Sequence, residues 1–273
     1  MHLRYFRLCV LVLLCFVVFI PPCYSVIDVA VSILPQRFFV KKIAKDKVNV
    51  VVLVPPGYNP ATYEPRPSQI AKVEKAKVYF AIGVPFEKVW LKRFISLNKG
   101  LLIIHTDKGI NKKDGDPHIW LSPPLVKKQA EAIAGCLKKI DPLNKNFYED
   151  NLKTFLKQID LLDKEIAEIL KTKKGRPFLV YHPCWGYFAD RYGLKQIAIE
   201  EKGKEPSVLK LARLISYCKK TGIKAIFVQP QFPNRSAYII AKELGINVIS
   251  IDPLAEDWIK NLRDVAVKLE NFI

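Results

Sequence analysis

Short apolar runs rich in β-branched residues recur along the chain, and a helix-like or polar segment follows each of them. Continuous apolar strands that alternate with helices are typical of parallel sheets covered on both faces. The runs form two sets of four, so the sequence predicts an α/β fold with two lobes. Each lobe is expected to hold a mostly parallel four-stranded sheet with flanking helices. The predicted strands are 27–34, 48–54, 78–83 and 101–104 in the first lobe, and 178–181, 196–199, 224–228 and 247–251 in the second.

The segment between the two sets carries one long amphipathic pattern. Apolar residues step by four and three positions from Tyr148 to Ile169, while charged residues occupy the other faces. This period predicts a single helix about 40 Å long. A coiled coil would use the same stripe, but the flanking α/β patterns favour one rigid helix that joins both lobes. We therefore divide the chain into an N-terminal lobe at 26–143, a linking helix at 144–172 and a C-terminal lobe at 173–273.

Residues 1–25 have the order of a secretory signal. Two arginines precede an apolar run at 8–20, and the small residue Ser25 follows it. The run is shorter than the roughly 20 apolar residues that a membrane-spanning helix needs. The sequence thus predicts an exported, periplasmic protein. Cys23 leaves a second arrangement open, a lipid anchor at the outer face of the membrane, although the preceding Pro-Pro pair makes a poor lipidation sequence.

The formal net charge of +18 raises the question of a nucleic-acid partner. The lysines are spread singly and form no stripe interleaved with aromatic residues, which is typical of a solvated basic surface. No nucleic-acid partner is therefore expected.

Three cysteines, Cys136, Cys184 and Cys218, remain after residue 25, without the paired spacing of a disulfide framework. Cysteines on apolar helix faces are commonly buried free thiols, which is the state we expect. A bridge between Cys184 and Cys218 is the alternative in an oxidising compartment.

Metal-binding residue types follow several predicted strands. His182 comes directly after the strand at 178–181, Asp252 directly after the strand at 247–251, and His118 lies in the loop after 101–104. Ligands bind parallel sheets beyond the carboxyl ends of the strands, so these three side chains are expected at the cleft. Two imidazoles and a carboxylate suit zinc or a similar ion. Taken singly, a loop histidine is more often a surface residue, and an aspartate before proline also fits a turn.

Short motifs surround these residues and recur along the chain. They are DPHIWLSP at 116–123, YHP at 181–183, EPS at 205–207 and IDPL at 251–254, with YEP at 63–65. Together they are similar to the signatures of the zinc and manganese solute-binding proteins of ABC transporters. The resemblance covers essentially all of the chain after residue 25, in the same order.

The resemblance implies two α/β lobes joined by a rigid long helix, with one ion in the cleft between them. It implies metal ligands at His118, His182 and Asp252, and docking of the loaded protein, as a monomer, on a membrane permease. Zinc is the implied cargo because zinc-carrying members resemble this chain in having histidine at the position of His182, and manganese is the alternative. On this interpretation the chain captures a divalent metal with high affinity for import and is not an enzyme.

One ligand of the family is missing from this chain. The family's first ligand is the histidine of a Pro-His-x-Tyr-Glu segment, which here reads Pro-Ala-Thr-Tyr-Glu at 60–64. Ala61 cannot bind a metal, so the fourth position is left to water, to Tyr58, Asn59 or Glu64, or to no ligand, and weaker binding is expected.

Two alternative functions follow from this vacancy. One is a diverged family member with weakened or lost metal binding that acts as a binding or adhesion module. The other is a zinc-dependent hydrolase, in which three protein ligands and a water form the arrangement of catalytic zinc. The hydrolase lacks a positioned general base beyond Glu64, and we expect no catalytic residues.

Overall fold

The computed structural model describes residues 26–201 and 203–273, so the predicted signal segment and Cys23 lie outside the described residues. Within that part of the chain, eight strands form two four-stranded sheets in which each pair of neighbouring strands is parallel. The first sheet has the order β2-β1-β3-β4 and the second has the order β6-β5-β7-β8, so the two lobes repeat one topology. The strands are β1 (Ile27–Val31), β2 (Val48–Val52), β3 (Val78–Ala81), β4 (Leu102–His105), β5 (Pro177–Val180), β6 (Lys195–Ala198), β7 (Ala225–Val228) and β8 (Asn247–Ser250).

The inner strands are covered on both faces, as their composition predicts. All four residues of β3 and all four of β7 are buried, whereas the edge strands β4 and β8 have exposed ends. Helices supply the cover. They are α1 (Leu34–Ala44), α2 (Pro67–Lys75), α3 (Pro85–Leu97) and α4 (Pro123–Ile140) in the first lobe, α5 (Lys145–Ile169) between the lobes, and α6 (Gly186–Tyr192), α7 (Val208–Thr221), α8 (Arg235–Leu244) and α9 (Trp258–Phe272) in the second.

Helix α5 has 25 residues and joins the two lobes. Its buried residues reproduce the predicted apolar stripe, and the helix packs on α1 and α4 of the first lobe and on α9 of the second. Arg263 on α9 donates to Glu165 on α5, over 2.6 Å and 2.9 Å. The predicted fold class is therefore confirmed. The boundaries drawn at 143 and 172 stay predictions, since one apolar core runs from the first lobe through α5 into the second.

Two buried hydrogen bonds connect the lobes near the carboxyl ends of the strands and fix their relative orientation. The indole nitrogen of Trp120 donates to the Pro253 carbonyl oxygen over 2.7 Å, and that of Trp258 donates to the Trp120 carbonyl oxygen over 2.7 Å. An ion pair between Arg37 and Glu256 also joins the two lobes. Side chains on both lobes are thus held at fixed distances across the cleft.

The three cysteines of the described residues are free and buried, as expected. Burial raises the pKa of Cys136 and of Cys218 to about 11, and it also raises the pKa of Cys184. No helix within the described residues is long and apolar enough to cross a membrane.

Candidate metal centre

A cavity of about 530 Å³ lies between the lobes. Its lining comes from the loops that follow β2, β3 and β4 in the first lobe and from the loops that follow all four strands of the second. Carboxyl-terminal strand ends of both sheets thus face one space, which is where open parallel sheets bind ligands.

His118 enters this cavity from the loop after β4. Its Nδ1 atom lies 2.5 Å from Oδ1 of Asp116, and its backbone N–H donates to the same oxygen over 2.9 Å. Burial lowers the pKa of His118 more than the neighbouring Asp116 raises it, which favours the neutral ring. A neutral imidazole whose Nδ1–H bonds a carboxylate presents the Nε2 lone pair to a metal.

His182 enters from the loop after β5. Its ring stacks on Phe232 with centroids 4.1 Å apart, and its backbone N–H donates to Oε1 of Gln229 over 2.9 Å. The Nδ1 atom lies 2.9 Å from Oε1 of Glu200, within ion-pair distance but without the geometry of a hydrogen bond. As at His118, a carboxylate therefore stands on the Nδ1 side of the ring.

The two rings are close enough to share one ion. Their centroids are 5.3 Å apart and their planes are inclined at 74°. Two imidazoles bound to one tetrahedral zinc through nitrogens about 2.0–2.1 Å away would have centroids roughly 5.2 Å apart. The donor types and their spacing therefore fit zinc, although the two histidines belong to different lobes.

Asp252, unlike the two histidines, does not line the cavity. Its Oδ1 atom accepts from the Leu254 backbone N–H over 2.8 Å and from Nε2 of Gln231 over 2.7 Å. Pro253, Leu254 and Gln231 line the cavity, whereas Asp252 is not among the lining residues. Within residues 26–201 and 203–273, no group of three or more histidine, cysteine, aspartate or glutamate residues is arranged to hold a metal ion. The structure thus brings His118 and His182 together and leaves Asp252 outside the cavity lining.

Ala61, at the position where the resemblance predicts a first histidine ligand, lines the same cavity as His118 and His182. Its backbone N–H donates to Oδ1 of Asn59 over 2.8 Å. Asn59 also lines the cavity, whereas Tyr58 and Glu64 do not. His105 lies at the end of β4 with a side chain 57% exposed, and it is likewise outside the lining.

Glu200 is a site residue that the sequence reasoning missed. It is 5% exposed and accepts from the Gly203 backbone N–H over 3.0 Å, next to His182. It follows β6 by two residues, so the strand-end rule that selected His182 and Asp252 also applies to it.

Comparisons with known proteins agree with this fold. The family described as zinc-uptake complex component A, periplasmic (ZnuA), matches residues 29–272. The high-affinity zinc uptake system protein ZnuA of Bacillus subtilis is 31% identical over 242 residues, which cover 80% of this chain and 76% of that protein. A putative metal-binding protein of Chlamydia trachomatis is 31% identical over 251 residues, which cover 89% of this chain and 91% of that protein. A crystal structure of ZnuA superposes on this chain with a TM-score of 0.88 at 43% sequence identity. The alignment covers 91% of this chain and 99% of the chain in that structure.

Proposed function

Because the chain belongs to the ZnuA family of periplasmic zinc-uptake components, we propose that it captures a divalent transition metal, zinc, between its lobes and delivers it to the membrane permease of an ABC transporter. The proposed ligands are His118, His182 and one oxygen of Asp252, with water at the position that Ala61 leaves.

The pairing of His118 and His182 carries the proposal. Their centroids are 5.3 Å apart across the cleft, and a carboxylate stands on the Nδ1 side of each ring. Carboxylates so placed orient a metal-binding histidine and make its Nε2 atom a stronger donor. The pair is supported from both lobes, so an ion held there bridges them.

Zinc is favoured over manganese by the donor types. Imidazole nitrogen suits zinc, whereas manganese favours carboxylate, carbonyl and water oxygens in octahedral geometry. With two imidazoles facing each other and one carboxylate beside them, the site offers more nitrogen than manganese requires. Manganese remains the alternative cargo.

Zinc titration of the chain at 26–273, against a competing chelator, tests the proposal. We expect His118→Ala and His182→Ala each to weaken zinc binding by about 100-fold, because each removes one of the few protein ligands of a site whose total binding free energy is large. His105→Ala is the matched control, since His105 is exposed and outside the cavity. Zinc binding no tighter than millimolar in the unsubstituted protein would overturn the proposal, as would equal losses in all three variants.

We also propose that the protein is exported and acts as a monomer in the periplasm or at the outer face of the membrane. The mass of the protein purified from its own cells separates these locations. Cleavage near Ser25 gives an unmodified chain, whereas a lipid anchor adds acyl mass to an N-terminal Cys23. We assign no catalytic role to Glu64, which lies outside the cavity lining.

A further inference from the structure

The loop after β7 touches both of the second-lobe residues proposed as ligands. Gln229 accepts from the His182 backbone N–H, and Phe232 stacks on the His182 ring. Gln231, between them, donates to Asp252 from Nε2 over 2.7 Å. One short loop therefore contacts both His182 and Asp252 and determines their relative position.

The side-chain amide of Gln231 is oriented by its hydrogen bond to Asp252. The residue is 8% exposed, and its Oε1 atom is buried without a hydrogen-bond partner. Since the nitrogen has a partner and the oxygen has none, the contact with Asp252 sets the orientation of the amide. Gln231 also lines the cavity that contains His118 and His182.

As a result, the two carboxylate oxygens of Asp252 accept different numbers of hydrogen bonds. Oδ1 accepts two hydrogen bonds, from Gln231 and from the Leu254 backbone, whereas Oδ2 accepts none from the described residues. A carboxylate with one oxygen saturated in this way offers an ion a single oxygen. If the amide were absent, Oδ1 would keep only the backbone bond and both oxygens would be available to a metal.

We propose that Gln231 is a specificity-determining residue: by holding Oδ1 of Asp252, it limits the carboxylate to one metal-binding oxygen and so favours zinc over manganese. The inference rests on the proposed function of the cleft. Zinc is stable with four ligands in tetrahedral geometry, and a monodentate carboxylate preserves that number. Manganese gains from extra oxygen ligands and octahedral geometry, which a bidentate carboxylate supplies.

The test uses Gln231→Met, which keeps the length of the side chain and removes the N–H donor. Zinc and manganese dissociation constants are measured on the chain at 26–273, and a cobalt(II) absorption spectrum reports the coordination number. We expect Gln231→Met to weaken zinc binding about 10-fold, the usual effect of losing a hydrogen bond to a metal ligand. Manganese binding should change less, and the cobalt d–d bands should weaken as the coordination number rises.

Two further variants complete the design. Gln158→Met is the matched control, because Gln158 on α5 also has a buried, unpartnered Oε1 and lies outside the cavity. Gln231→Asn keeps the amide but shortens its reach, so it should shift selectivity in the same direction if Gln231→Met fails to fold. An unchanged ratio of zinc to manganese affinity in a folded Gln231 variant would overturn the inference and leave the proposed function standing. Failure of the unsubstituted protein to bind zinc would overturn both.

Discussion

Replacing Ala61 by histidine should tighten zinc binding by roughly 10- to 100-fold. Ala61 lines the cavity that contains His118 and His182, so an imidazole there is placed to take the fourth position in place of water. The segment is already ordered: the backbone N–H groups of Thr62 and Tyr63 both donate to the Asn59 carbonyl oxygen, over 3.1 Å and 3.0 Å. The exposed position of Ala61 leaves room for the larger side chain.

The expected gain in zinc affinity follows from the binding free energy that one protein ligand contributes. Structural zinc sites with four protein ligands are worth about 10–16 kcal/mol, or roughly 2.5–4 kcal/mol for each ligand. Ordering a new side chain costs about 1 kcal/mol, and a bound water is displaced. A net gain of about 1.5–3 kcal/mol remains, which corresponds to roughly one to two powers of ten in the dissociation constant.

Competition titration with a zinc chelator measures this change directly. Ala61→Leu is the control, because it adds similar bulk without a donor atom and should leave the dissociation constant within a factor of about 3. If Ala61→His binds zinc no better than Ala61→Leu, the segment at 60–64 does not face the bound ion and the reasoning is refuted.

Three other results are expected. Glu200→Gln should weaken zinc binding by about 10-fold, because it removes the carboxylate charge that lies 2.9 Å from Nδ1 of His182; an unchanged chelator titration would remove Glu200 from the site. Trp120→Phe should lower the free energy of unfolding by about 1–3 kcal/mol in urea titrations, because it leaves the Pro253 carbonyl without its buried donor. Burial raises the pKa of Cys136 and of Cys218 to about 11 and also raises that of Cys184. The native chain at 26–273 should therefore not react with Ellman's reagent at pH 8, whereas the same chain should show three reactive thiols when denatured; fast reaction of the native chain would contradict the burial.

The local patterns in the sequence are sufficient to predict the fold. The stripe from Tyr148 to Ile169 defines α5 because every third or fourth residue must face the core, and the all-apolar runs define the inner strands because both of their faces are covered. The strand-end rule likewise places His118 and His182 at the cleft, since it depends only on strand direction.

The distances across the cleft could not be predicted in the same way. The separation of His118 and His182 depends on how the lobes are docked, and that docking rests on contacts such as Trp120 with Pro253, which lie far apart in the sequence. The contact of Gln231 with Asp252 joins two loops 21 residues apart, and a lone glutamine carries no signal of such a partner. Asp252 remains a predicted ligand, because it lies beside the cavity rather than in its lining.

An anomalous difference map at the zinc absorption edge, from crystals of the chain at 26–273 grown with zinc, tests the central claim most directly. Our account predicts one strong peak in the cleft, about 2.0–2.1 Å from Nε2 of His118 and from Nε2 of His182. A cleft without a peak, or a peak only at an exposed side chain such as His105, would contradict it.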